Sequence, residues 1–126
     1  MSFSEELLSA EYINLVTFRK SGDEVPTPVW AAPLNGNLYA FSEGKAGKVK
    51  RLRNSPKCKV ATCTYNGTVT AEWAEAEAVI VKDPAEIEAA YQAFYKKYGL
   101  KVRLFNLGSK LVGKFSERAM LKISPV

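Results

Sequence analysis

Apolar residues fall in short β-rich runs along most of the chain and switch to helical spacing beyond residue 83. Ser4 to Ala10 opens as a short helix, with Ser4 as N-cap and Leu7 and Leu8 turned inward. Glu11 to Lys20 (EYINLVTFRK) predicts a strand that stops at the turn signal Ser21-Gly22-Asp23. Glu24 to Leu34 (EVPTPVWAAPL) predicts a second strand, interrupted by Pro26, Pro28 and Pro33. Pro26 and Pro28 are two apart, so their missing N–H groups lie on one side. That side carries no regular ladder, which makes the strand an edge or sets it against something other than a strand, such as a ligand.

Asn35-Gly36 is a strong hairpin signal and leads into a third strand, Leu38 to Ser42. Lys48 to Asn54 reads as a short helix anchored by Val49 and Leu52, its Lys and Arg side chains outward. Lys57 to Tyr65 and Val69 to Lys82 form another hairpin around Asn66-Gly67. The second of these contains Glu72, Glu75 and Glu77 and alone could pass for helix over Ala71 to Ala78, but Val, Thr and Ile flank it. Asp83-Pro84-Ala85-Glu86 starts a helix, with Asp83 capping and Glu86 closing the box. Ile87, Ala90, Tyr91, Phe94 and Tyr98 form its packed face, and Gly99 suits its end. Residues 101–113 read as a broken helical segment, and Phe115 to Ile123 as a closing strand. The expectation is one domain, 1–126, mainly β, with about six antiparallel strands in a closed or nearly closed barrel and two or three flanking helices.

Composition narrows the chemistry. The chain has 126 residues, 47% hydrophobic and 25% charged, which suits one soluble core. It has no histidine, which removes Ser-His-Asp and Cys-His catalysis and any His-ligated metal; no metal site is expected. Cys58 and Cys63 have no metal-ligand spacing and fall on opposite faces of one strand, so they read as reduced packing thiols. No apolar run is long enough to span a membrane, and the first residues lack the basic flank and apolar stretch of a secretory signal. A cytoplasmic location is the expectation.

Charge is concentrated in one place. Gly44 to Lys59 holds seven basic residues and no acidic one, against a whole-chain net charge of +5, so the remainder is net negative. Gly44-Lys45-Ala46-Gly47-Lys48 feeds a helix N-terminus, an arrangement suited to phosphate. Its glycine spacing is not that of a Walker A loop. A solvated basic helix is the plain alternative, and nucleic-acid binding lacks a supporting motif.

Three stretches in succession, Val25-Pro26-Thr27-Pro28-Val29-Trp30, Leu38-Tyr39-Ala40-Phe41-Ser42 and Gly47-Lys48-Val49-Lys50-Arg51-Leu52-Arg53-Asn54-Ser55-Pro56, resemble the pyridoxamine-phosphate-oxidase-like split-barrel flavoproteins. The chain is most like their small branch that uses the deazaflavin coenzyme F-420. The resemblance runs from Glu11 to Val81, and Arg118 to Pro125 fits the family's last strand. It implies a six-stranded antiparallel split barrel of the FMN-binding type, a homodimer with a cofactor at each end of its interface, and oxidoreductase activity on a small conjugated substrate. By resemblance, Pro28, Val29, Trp30 and Ala31 run along the cofactor ring, largely through backbone. Phe41 and Ser42 lie near its phosphate or ribityl chain. Lys48 contacts the phosphate with help from Lys50, Arg51 or Arg53, and Trp73 stands near the shared surface.

The residues bear on these expectations independently. Trp30, Phe41 and Trp73 could wall a flat ring, with core packing the alternative for each. A flavin-type cofactor carries hydride itself, so the missing histidine is no obstacle. The proton could come from solvent, from Tyr39 or Tyr65, or from a ring-bound group. Seven cations exceed what one phosphate monoester needs and favour the carboxylate-bearing tail of F-420 over FMN. Gly47 stands where related FMN oxidases tend to carry arginine, and the arginine-tryptophan region at the C-terminus of true pyridoxamine phosphate oxidases is missing. Vitamin B6 oxidation is therefore not expected. A non-catalytic carrier or sensor of flavin, haem or a tetrapyrrole is the alternative function.

Overall fold

The structure, a computed structural model, describes residues 2–99 and 118–126. The segment read as broken helix, 101–113, and the first residues of the expected closing strand lie outside the described residues. In chain order the elements are α1 (Glu5–Ser9), β1 (Tyr12–Phe18), β2 (Glu24–Val29), β3 (Ala32–Leu34), β4 (Asn37–Glu43), α2 (Gly47–Asn54), β5 (Lys57–Cys63), β6 (Ala74–Val81), α3 (Pro84–Tyr98) and β7 (Arg118–Pro125). The fold is mainly β, with every strand pairing antiparallel.

The strand order is β2-β1-β5-β6-β7-β4-β3, which gives seven strands among the described residues where about six were expected. The extra strand arises because Glu24 to Leu34 is not continuous. Its first half pairs with β1 and its second half with β4, at opposite ends of the sheet. Only Trp30 and Ala31 separate the halves. Flat, the outer strands would stand roughly 29 Å apart. Three peptide steps reach at most about 11 Å. The sheet must therefore curl until its two edges nearly meet, leaving a seam where β2 and β3 do not pair.

Local chemistry explains the turns that allow this. Asn35 (φ 54°) and Gly36 (φ 80°) both take the left-handed conformation that a two-residue hairpin requires. β2 is an edge strand, as its prolines predicted, and its ladder to β1 runs from Glu24 to Val29. Pro26 and Pro28 thus direct their missing donors outward. The expected strand over Val69 to Lys82 is shorter. It begins at Ala74, with one isolated bridge between Cys63 and Val69, so Trp73 precedes the strand.

Two apolar clusters hold the molecule together. Inside the curl, Ile13, Leu15, Leu38, Val60, Leu121 and Ile123 are fully buried, joined by Val49 and Leu52 of α2. Outside it, α3 lays Ala90, Tyr91 and Phe94 against Ala32, Tyr39, Val81 and Met120. Asp83 caps α3 by accepting from the Ala85 N–H, and Gly99 ends it at φ 60°. Glu86 does not serve as the expected box residue. Its carboxylate turns to the sheet, accepts from the Tyr39 hydroxyl at 2.6 Å and lies 3.6 Å from Lys122 Nζ. Cys58 and Cys63 are free and buried. Among the described residues no helix is long and apolar enough to cross a membrane.

Candidate functional site

The basic helix α2 follows β4 directly and packs Val49 and Leu52 into the inner core. Its N-cap is Ala46, which offers no side-chain acceptor, and its first turn holds no acid. No side chain caps the first turn, and the Val49 N–H turns back to the Ala46 carbonyl at 3.1 Å. Lys50 and Arg53 are exposed, as a solvated face requires. Arg51 departs from that expectation. It turns inward, and its Nε donates to the fully buried Thr17 hydroxyl of β1 at 2.7 Å. Its guanidinium lies over Gly47, where a Cβ would stand 2.8 Å from Nη1. Glycine at 47 thus makes room for the Arg51 head at the positive end of the helix. Lys48 is half-buried beside it. Burial, and then the charge of Arg51, hold its ammonium below the usual lysine range. Among the described residues no carboxylate pairs with Lys48, Lys50, Arg51 or Arg53.

A cavity of about 200 Å³ opens at the seam, lined among the described residues by Val29, Trp30, Phe41 and Lys48. Two aromatic walls and one ammonium therefore converge from β2, the corner after it, β4 and α2. Both walls are backed by α3. Trp30 stacks on Tyr98 with ring centroids 4.9 Å apart and planes 16° from parallel. Phe41 meets Phe94 edge-on at 4.9 Å and carries the Arg118 guanidinium 4.4 Å above its ring. Arg118 also offsets part of the rise that burial gives the Tyr91 phenol.

The other residues singled out from the sequence lie elsewhere. Pro28 is exposed on the outer edge near Gly67. Ala31 is fully buried, and its N–H and C=O are already taken by Tyr98 and Lys97, so its backbone is not offered to a ligand. Ser42 is buried, and as the neighbour of Phe41 in β4 it points to the opposite face of that strand. Trp73 is 41% exposed with Lys59 Nζ 4.6 Å over its ring, and lines a separate cavity with Phe3, Leu7 and Thr70. Tyr39 is buried and engaged with Glu86, while Tyr65 is 74% exposed in the hairpin turn. Neither lines the seam cavity among its described residues. Sequence reasoning missed Tyr98 and Arg118 as neighbours of the cavity. Tyr98 read only as a helix face residue, and Arg118 only as the start of a strand.

No known sequence family and no curated protein matches the chain. Solved structures do. A conserved hypothetical protein of Mycobacterium tuberculosis is 20% identical with a TM-score of 0.72, over 99% of this chain and 82% of that one. A Listeria innocua protein assigned provisionally as a pyridoxamine 5'-phosphate oxidase is 14% identical with a TM-score of 0.66, over 94% and 86%. The fold is the split barrel. HutZ of Vibrio cholerae, a haem storage protein, is 11% identical with a TM-score of 0.70, over 100% and 92%. At these identities the likeness carries the architecture of the split barrel and nothing of its chemistry. The Trp30 cavity opens at the corner where the chain crosses from β2 to β3.

Proposed function

We propose that this chain is an oxidoreductase of the pyridoxamine-phosphate-oxidase-like type. In this reading it binds F-420 or FMN in the seam cavity as a homodimer and serves a small, planar, conjugated substrate. The observation that carries the reading is the convergence of Trp30, Phe41 and Lys48 on one cavity, beside cations that no acid among the described residues neutralises. Lys48 and Arg51 suit a phosphate, and Lys50 and Arg53 extend the positive surface outward. That extension favours the acidic tail of F-420. Trp30 and Phe41 would wall the ring, with Val29 beside them. A flavin or deazaflavin supplies the hydride chemistry when bound, and the protein need only orient it and exclude water.

The cavity of one chain is below the ~300 Å³ at which sites for drug-sized ligands begin. In the homodimer of this reading, a second copy would close over the seam and complete the site. Fluorescence titration with FMN and with F-420 tests the reading, and a dissociation constant above about 100 µM for both (weaker than about −5.5 kcal/mol) refutes it.

A carrier that binds without turnover is the second reading. It is favoured by the absence of a paired acid and base among the described cavity residues. Haem is the least suited cargo. The chain has no histidine, and Cys58 and Cys63 are buried outside the described lining of the cavity. Mixing the reduced cofactor with quinones and enones separates the readings, since a carrier gives no reoxidation.

A further inference from the structure

Trp30 and Ala31 form the corner at which the chain leaves one edge of the sheet for the other, and among the described residues no element lies alongside as a ladder. Ala31 is fully buried, so its backbone groups need partners. The last turn of α3 provides them from more than sixty residues away. The Tyr98 hydroxyl accepts from the Ala31 N–H at 3.0 Å and donates to the Glu11 carbonyl at 2.6 Å. Lys97 Nζ donates to the carbonyls of Ala31 at 2.5 Å, Ala10 at 2.6 Å and Leu8 at 3.3 Å. The corner is thereby tied to the end of α1 and the start of β1. The Tyr98 ring also stacks on Trp30, and Phe94 stacks behind Tyr98 with centroids 5.7 Å apart.

One residue thus fixes both the ring of Trp30 and the backbone that carries it, while Trp30 lines the cavity. We infer that Tyr98 is a positioning residue for the cavity, acting through Trp30 on a planar heteroaromatic ligand. Its ring sets the tilt of the indole, and its hydroxyl sets where the corner stands. The choice of ligand rests on the reading under Proposed function, whereas the hold of Tyr98 on Trp30 does not.

The test compares wild type, Tyr98→Phe, Trp30→Ala and the double variant, titrated at pH 7 with riboflavin and FMN. Tyr98→Phe keeps the stack and loses the hydroxyl. It should weaken both ligands equally, about fivefold, the scale of a net hydrogen bond. In the Trp30→Ala background, followed with FMN because its phosphate sustains affinity, Tyr98→Phe should change almost nothing. Equal loss with and without Trp30 marks a merely structural role and overturns the inference, as does wild-type affinity in Tyr98→Phe.

A ligand-free measurement stands beside these. In a Trp73→Phe background Trp30 is the sole indole, and its quenching by acrylamide should rise in Tyr98→Phe and in Lys97→Arg. Unchanged quenching overturns the inference even if Tyr98→Phe proves too unstable to titrate. Failure of the wild type to bind either flavin would instead count against the cavity reading and leave the quenching result to decide the role of Tyr98.

Discussion

Replacing Gly47 with alanine would put a methyl group where the Arg51 guanidinium lies, 2.8 Å from Nη1 and 3.5 Å from Cζ and Nη2. The end of a long side chain can swing away, but leaving breaks the Nε–Thr17 bond of 2.7 Å. A hydrogen bond to a charged group contributes roughly 1.5–3 kcal/mol, and the Thr17 hydroxyl, fully buried, would lose its donor. Alanine is the better helix former by up to about 1 kcal/mol, which offsets part of the loss. The balance is a destabilisation of about 1–2 kcal/mol. For a chain of this size that lowers Tm by about 3–8 °C.

The binding effect is separable from the stability effect. With Arg51 displaced, a phosphate at Lys48 loses one charged contact, and FMN affinity should fall about tenfold, or ~1.4 kcal/mol. Riboflavin, which has no phosphate, should bind as before. The assay is the ratio of FMN to riboflavin affinities, read beside a thermal melt. Thr17→Val, which removes the anchor without crowding Gly47, should change the ratio in the same direction. A lowered melt with an unchanged ratio would show that Arg51 holds the fold and not an anion. An unchanged melt and ratio together would refute the crowding argument itself.

Further expectations concern single groups. Lys48→Ala should weaken FMN binding by roughly 1.5–3 kcal/mol with little effect on the melt, and unchanged affinity would remove Lys48 from the phosphate site. Burial pushes the Cys58 thiol up to about 12 and raises that of Cys63, so neither should react with a disulfide reagent at pH 8 until urea unfolds the chain. Burial outweighs the nearby Glu11 charge and holds Lys97 at about 8, below the ~10.4 of a free lysine. Between those values the unfolded chain binds more protons, so this residue makes stability rise with pH across pH 8–10 and does nothing below. The urea midpoint of wild type minus that of Lys97→Met should climb over that window, and a flat or falling difference would disprove it.

The fold was legible where local chemistry decides conformation. Asn35-Gly36, the Asp83 cap and the periodicity from Ile87 to Tyr98 each depend on neighbours within a few residues, and each stands as read. Pairing partners are another matter. Glu24 to Leu34 looks like one strand because alternation reports which face a residue occupies, not which strand lies beside it. The break at Trp30 becomes visible only when β1 and β4 claim opposite halves. The inward turn of Arg51 has the same origin, since Thr17 lies 34 residues away. Trp73 falls outside the seam because it precedes β6, the middle strand of the seven, three strands from either rim. Tyr98 could not be read as a support for Trp30, because helical spacing specifies a packed face and leaves its partner open.

Both free rims of the curled sheet carry imino acids, Pro26 and Pro28 on β2 and Pro33 on β3. An incoming strand needs amide donors along the rim it joins, and these positions supply none. Among the described residues, these prolines disfavour the chain-upon-chain growth that leads to fibrils at both rims. A protein that settles over the seam meets backbone acceptors along these positions and no donors, so a full ladder with either rim is denied to it.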